Sequence, residues 1–140
     1  MSGKYFFKQG DDKSCGVCIL LTLSEMYHRL RVVFSVKKGT SPKRIMRDLR
    51  AMGINAKIKY IGIRDIATLR HRLKPRSVIY YPRNRHNGKR GDHYVIIGAV
   101  RSKKALIYDS TEKRPIWIFL TALVKKWGKN GKGWVIETWV

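Results

Sequence analysis

Lys8-Gln9-Gly10-Asp11-Asp12-Lys13-Ser14-Cys15-Gly16-Val17-Cys18-Ile19-Leu20-Leu21 opens as a polar run rich in turn formers and changes abruptly into an apolar one. Cys15 stands at the junction, with Gly16 directly after it. If the apolar run is a helix, Cys15 lies in its first turn. There the unpaired backbone N–H groups and the positive end of the helix dipole favour thiolate over thiol. Gln9, six residues upstream, can fold back and offer an amide N–H₂ beside the sulfur. A nucleophile beside a neutral donor suits acyl transfer, because negative charge develops on the carbonyl oxygen during attack. A cysteine beside a glycine at a helix start can also be simply a small buried hydrophobe. The decision rests on the rest of the chain.

The chain has 140 residues, 44% of them hydrophobic and 11% aromatic, which suits one folded domain with a real core. The expectation is a single domain over residues 1–140. No apolar run approaches the roughly 18 to 20 residues of a membrane span. The segment Met1-Ser2-Gly3-Lys4-Tyr5-Phe6-Phe7 does not read as a secretory signal, so the expected location is intracellular, cytoplasmic or within a virion.

Cys15 and Cys18 form a C-x-x-C, open to three readings. A zinc site needs two further ligands, and His28, His71, His86 and His93 offer no paired spacing. A redox pair expects a βαβ pattern that the chain downstream does not repeat. In the third and preferred reading only Cys15 is chemical, and Cys18 packs among Ile19, Leu20 and Leu21. No metal or organic cofactor is expected.

Thirty-one Lys and Arg against nine Asp and Glu give a net charge of +22, beyond what solubility requires. Such a surface attracts polyanions such as DNA, RNA or anionic membrane, although a solvated basic surface accounts for the same composition.

Ser14 to Leu30 reads as a first helix, nearly apolar all round and hence central and buried. His28 lies too far along it to serve Cys15, about 20 Å at ~1.5 Å per residue. Arg31 to Lys38 is a short strand or irregular link. Ser41 and Pro42 cap a second helix that ends at Gly53. Its apolar face is Ile45, Met46, Leu49 and Met52. Its other face, Lys43, Arg44, Arg47 and Arg50, is a candidate polyanion-binding stripe beside the plainer reading of a solvated face. Ala56 to Ile61 alternates as a strand, and Asp65 to Leu73 reads as a third helix closed by Pro75. Ser77 to Tyr81 reads as a strand, Arg83 to Asp92 as a polar loop, and His93 to Val100 as a strong strand opened by His93. A turn over Arg101 to Lys104 leads to a strand from Ala105 to Asp109. Pro115 to Phe119 and Trp134 to Val140 are further strands, with a helix over Thr121 to Trp127 between them. Helices followed by antiparallel strands make an α+β fold.

If the strands carrying His93 and Asp109 pair as a hairpin, the start of one lies beside the end of the other. A carboxylate there can hold the imidazole in one tautomer while the other ring nitrogen faces a thiol. The order Gln9, Cys15-Gly16, His93-Tyr94-Val95-Ile96, Asp109 resembles the papain-like cysteine peptidases of the C39 type, which include bacteriocin-processing domains that precede some ABC exporters. The resemblance spans nearly the whole chain, including Leu73 to Ile79 before the histidine strand and Phe119 and Trp127 near the end. It implies a papain-like fold with N-terminal helices packed on an antiparallel sheet. It also implies Cys15 as nucleophile, His93 as general base, Asp109 as the orienting residue and Gln9 as oxyanion-hole donor. Two positions depart from the family pattern, Ser14 where Asp is common and Ser110 where Pro follows the aspartate; neither removes a catalytic group.

A cysteine peptidase acting on a polypeptide is therefore expected. No exporter membrane span or G-x-x-x-x-G-K-[ST] stretch is present, which favours a free-standing peptidase over export-linked leader removal. The charge adds the expectation of a maturation protease acting near nucleic acid, as in a viral or mobile-element particle. The alternatives are a non-catalytic nucleic-acid-binding module on a peptidase-like scaffold and thiol–disulfide exchange through Cys15 and Cys18.

Overall fold

The computed structural model describes residues 15–28, 41–60, 66–84, 90–109, 112, 114–127 and 134–140, and only the backbone at 15–17, 66–68, 81–84, 90–92 and 126–127. Ten elements follow in the order α1 (Cys15–Met26), α2 (Pro42–Ala51), β1 (Asn55–Tyr60), α3 (Ile66–Arg72), β2 (Val78–Asn84), β3 (Arg90–Arg101), β4 (Lys104–Asp109), β5 (Ile116–Phe119), α4 (Leu120–Trp127) and β6 (Trp134–Trp139). The strands form one sheet in the order β1-β6-β2-β3-β4-β5, with every neighbouring pair antiparallel. The link expected over Arg31 to Lys38 lies outside the described residues.

α1 is buried nearly all round, with Cys18, Ile19, Leu20, Thr22, Leu23, Ser24 and Met26 all below a tenth exposed. That follows from an apolar sequence with no polar face to give to water. Together with Ile45, Leu49 and Ile54 it packs on the face of the sheet that carries Tyr94, Ile96, Leu106 and Tyr108. The opposite face carries Ile79, Val95, Ile97, Ala105, Ile107 and Val135, and is covered by Leu69 and Leu73 from the α3 region and Leu120 and Leu123 of α4. Helices thus cover both faces of the sheet, where the expectation placed N-terminal helices on it.

α2 is bounded by local chemistry. Ser41 is its N-cap, accepting from the Arg44 N–H at 3.2 Å, and Pro42 follows in the first turn. At the other end Gly53 takes φ 76°. Its N–H donates to the Arg50 carbonyl at 3.0 Å, and that of Ile54 donates to Leu49 at 3.0 Å. This pair of bonds needs a left-handed residue between them, and the apolar residues it brings together, Leu49 and Ile54, are both fully buried.

Several features differ from the expectation. The first helix, expected to reach Leu30, ends at Met26, and Tyr27 and His28 form a turn, with His28 at φ 54°. The region read as a loop from Arg83 to Asp92 is partly ladder: Pro82 pairs with Asp92, Arg83 with Gly91 and Asn84 with Arg90. Once two strands are in register, the ladder extends through backbone hydrogen bonds at alternate pairs, whatever the polarity of the side chains. His93 is therefore the fourth residue of β3 rather than its first. The β3–β4 turn is only Ser102 and Lys103, with Ser102 at φ 53°, the positive φ that two-residue hairpin turns use. Lastly, the β3–β4 register shifts between Ile97 and Ala99, leaving Gly98 without a partner on β4.

Replacing Gly53 by alanine is expected to lower stability by about 1 to 2 kcal/mol, the cost of a Cβ in the left-handed region. Urea titration should show the midpoint moving with an unchanged slope.

Candidate active site

His93 and Asp109 are brought together by the β3–β4 hairpin. Asp109 pairs across the ladder with Val95, two residues along from His93. Alternation along a strand puts both residues on one face of the sheet. The His93 Nε2–H donates to Asp109 Oδ1 at 2.9 Å. The histidine is 1% exposed, while the aspartate side chain keeps 15% exposure. Burial shields the pair from water, which strengthens a hydrogen bond between an imidazole and a carboxylate. With Nε2 carrying the proton, Nδ1 is the basic nitrogen of the neutral ring.

Cys15 is the first residue of α1, as the change from polar to apolar sequence indicated. The side chain of Cys15 and all of Gln9 lie outside the described residues. Cys18 is buried, 6% exposed, one turn further into α1. Among the described residues no three His, Cys, Asp or Glu side chains cluster as metal ligands. No described helix is long and apolar enough to cross a membrane.

The four basic residues of α2 are all exposed, but they are not equivalent. Arg50 Nη2 donates to the Ala56 carbonyl at 2.8 Å, closing the turn between α2 and β1. Arg47 Nε lies 3.6 Å from Asp48 Oδ1. Arg50 is thus partly structural.

Within the strand expected over His93 to Val100, Gly98 interrupts the pairing of β3 with β4. A lone glycine inside a β-branched run is the signal that was there to be read, since it marks a bulge or a close approach of another chain segment.

The peptidase C39 family matches residues 4–131. The chain belongs to this family. This C39 domain is accordingly a cysteine peptidase by class. Its fold is shared with the peptidase domain of Streptococcus ComA, a bifunctional ABC transporter of a quorum-sensing pathway. That match has a TM-score of 0.69 at 18% identity, covering 94% of this chain and 95% of the other. A double-glycine-motif protease from an AMS/PCAT transporter, solved in complex with the leader peptide, matches with a TM-score of 0.68 at 18% identity over 95% and 89% of the two chains. The N-terminal C39-like domain of a Vibrio parahaemolyticus toxin-secretion ATP-binding protein gives 0.55 at 17% identity over 85% and 90%. No curated protein sequence matches the C39 domain.

Asp109→Ala removes the acceptor from a buried ring N–H and is expected to cost about 1 to 3 kcal/mol in urea unfolding. In ¹⁵N NMR of the His93 ring, the wild type should show the Nε2-protonated tautomer, and Asp109→Ala should populate the other.

Proposed function

We propose that this C39 domain hydrolyses peptide bonds with Cys15 as nucleophile, His93 as base and acid, and Asp109 orienting the imidazole. Gln9 and the Cys15 backbone N–H bind the oxyanion. The observation that carries this reading is the buried 2.9 Å hydrogen bond between His93 and Asp109. In the first half-reaction Nδ1 of His93 takes the thiol proton and sulfur attacks the carbonyl carbon. The C–N bond then breaks, the proton passes to the leaving amine, and a thioester remains. In the second half His93 takes a proton from water and the hydroxide attacks the thioester carbon; the C–S bond then breaks, releasing the carboxylic acid, and the proton on His93 returns to sulfur. Asp109 keeps Nε2 protonated throughout, so that Nδ1 is the nitrogen that cycles.

The course of α1 supports the pairing of Cys15 with His93. Tyr27, just past the helix, hydrogen-bonds Thr138 Oγ1 at 2.8 Å, and Thr138 in turn donates to the Arg76 carbonyl at 2.7 Å. The Arg76 guanidinium lies 4.7 Å above the Tyr27 ring, and the Arg76 N–H donates to Ile97. The end of α1 is therefore tied near Ile97, and Ile19, Leu20 and Leu23 share a cluster with Tyr94 and Ile96 of β3. From Ile97 back to His93 is about 13 Å at ~3.3 Å per residue, and a helix of 12 residues spans about 18 Å. These ties and lengths support a first turn of α1 lying towards the His93 end of β3. Since α1 covers the face opposite to His93, the proposed pairing has thiol and imidazole meet past the end of the helix rather than beneath it.

As substrate we propose a leader peptide carrying a double-glycine motif, the class named for one structural neighbour. A synthetic Gly-Gly peptide should be cut at that motif and its Val-Val counterpart left whole, by mass spectrometry.

The mechanism is tested by iodoacetamide labelling at pH 6. An ordinary thiol with pKa near ~8.5 reacts slowly there, and a histidine-paired thiolate reacts fast. Cys15 should label fast in wild type and at least about tenfold more slowly in His93→Ala. Cys18 should stay unlabelled, and Cys15→Ala should abolish peptide cleavage. Equally slow labelling in both proteins refutes the pair.

A second proposal concerns the charge. The exposed Lys43, Arg44 and Arg47 of α2, in a chain of net charge +22, support binding to a polyanion such as nucleic acid. The protease would then mature a protein held on nucleic acid, as in a viral or mobile-element particle. Retention on DNA-cellulose should fall steeply with salt and weaken in Lys43→Glu/Arg44→Glu, with peptide cleavage unchanged. Salt-insensitive elution would exclude it.

A further inference from the structure

We infer that Gly98 is a positioning residue for the His93–Asp109 pair, because the bulge it forms puts the two side chains on the same face of the sheet. The inference rests on the catalytic role proposed for that pair. The two-residue turn sets the ladder at Arg101↔Lys104, Val100↔Ala105 and Ala99↔Leu106. Carried on without interruption, this register would pair Gly98 with Ile107, Ile97 with Tyr108 and Ile96 with Asp109. Directly opposite residues share a face and successive residues alternate. Asp109 would then share a face with Ile96, and His93, three residues away, would point to the other side. No rotamer of either side chain could bridge the sheet.

The observed pairs beyond Gly98 are Ile97↔Ile107, Ile96↔Tyr108 and Val95↔Asp109. One residue is taken up without a partner, and the first half of β3 changes phase relative to β4. Asp109 now shares the face of Val95 and hence of His93, and its Oδ1 reaches Nε2 at 2.9 Å.

The extra residue has to be glycine. A Cβ on residue 98 would stand 2.7 Å from Tyr108 Cε1, 3.2 Å from Cδ1 and 3.3 Å from Leu106 Cδ2. Tyr108 is 1% exposed and lies in the core cluster against α1, so its ring has no open space to swing into. The ring fills the slot that the missing Cβ leaves. Tyr108 also immediately precedes Asp109, so a side chain at position 98 that displaces the buried ring strains the strand next to the carboxylate.

Deleting Gly98 has a different consequence from enlarging it. Without residue 98, Ile97 and Ala99 become neighbours, and the observed pairs Ile97↔Ile107 and Ala99↔Leu106 run on as a regular ladder with every face preserved. A chain one residue shorter should therefore keep the pair that one added methyl group disrupts.

The test compares wild type, Gly98→Ala, the Gly98 deletion, Asp109→Asn, and Gly98→Ala/Asp109→Asn. Each is read by kcat and KM on a Gly-Gly peptide, by the ¹⁵N signals of the His93 ring and by the unfolding midpoint. Gly98→Ala is expected to lower kcat by about tenfold or more with KM within about twofold, and to move the His93 signals as Asp109→Asn does. It should cost little further in the Asp109→Asn background. The deletion should keep the wild-type tautomer and a kcat within about threefold. An unchanged kcat in folded Gly98→Ala, or losses that multiply with those of Asp109→Asn, would show that Gly98 only packs. If Gly98→Ala does not fold, the deletion decides, and loss of the wild-type tautomer in a folded deletion overturns the register account. Wild-type kcat in Asp109→Asn would instead refute the catalytic role of the pair, while the NMR comparison still judges the positioning.

Discussion

Everything in this molecule is arranged around a strand buried on both faces. Tyr94, Val95, Ile96 and Ile97 of β3 are each no more than 1% exposed, and they alternate between two separate hydrophobic clusters. Burying one large apolar side chain contributes roughly 1.5 to 3 kcal/mol, so these four weigh heavily in a fold whose net stability is expected to be about 5 to 15 kcal/mol. An antiparallel sheet usually keeps one face wet. This one cannot, because neither set of β3 side chains tolerates water. Helices must cover both sides, and the placement of α1 and α2 on one side and α4 with the α3 region on the other follows from that demand.

The same double burial sets the conditions for the candidate site. A histidine in a strand whose neighbours are closed from solvent on both sides is held in one place, and its Nε2 is bonded to an aspartate across the hairpin. Rigidity of this kind favours general-base chemistry, in which a proton acceptor has to wait in the right tautomer. The end of α1 is tied to β6 and to the segment before β2 through Tyr27, Thr138 and Arg76, so the helix carrying Cys15 is anchored to the same sheet. Among the described residues the Lys and Arg side chains, except that of Arg76, stand at exposed positions such as the outer face of α2, where charge is least costly to the core.

Much of this was legible in the chain itself. The all-round apolar character of residues 15–26 announces a buried helix, and Ser41-Pro42 and Gly53 announce the ends of α2, because caps and turns are decided by a few neighbouring residues. The strand-forming runs of β2, β3 and β4 are visible as β-branched and aromatic segments. Cys15 at the polar-to-apolar junction, with His93 and Asp109 side by side at the open end of a hairpin, is a candidate site that the sequence itself assembles. The reach of β2 and β3 beyond Tyr81 and before His93 was not legible, since polar residues join a ladder for reasons of backbone pairing that their side chains do not advertise.

What the sequence by itself determined is which residues seek the interior, where the helices stop and which side chains are able to do chemistry, all of which depend on local composition and short-range spacing. What only the tertiary structure decided is the phase of one strand against another. Whether Asp109 faces His93 or turns its back on it depends on a single unpaired residue at position 98, and on the ring of Tyr108 occupying the space a Cβ would need. A side-chain period of two makes every one-residue shift an all-or-none change of face; the lone glycine marks where a shift is possible, and packing between the strands settles that it occurs.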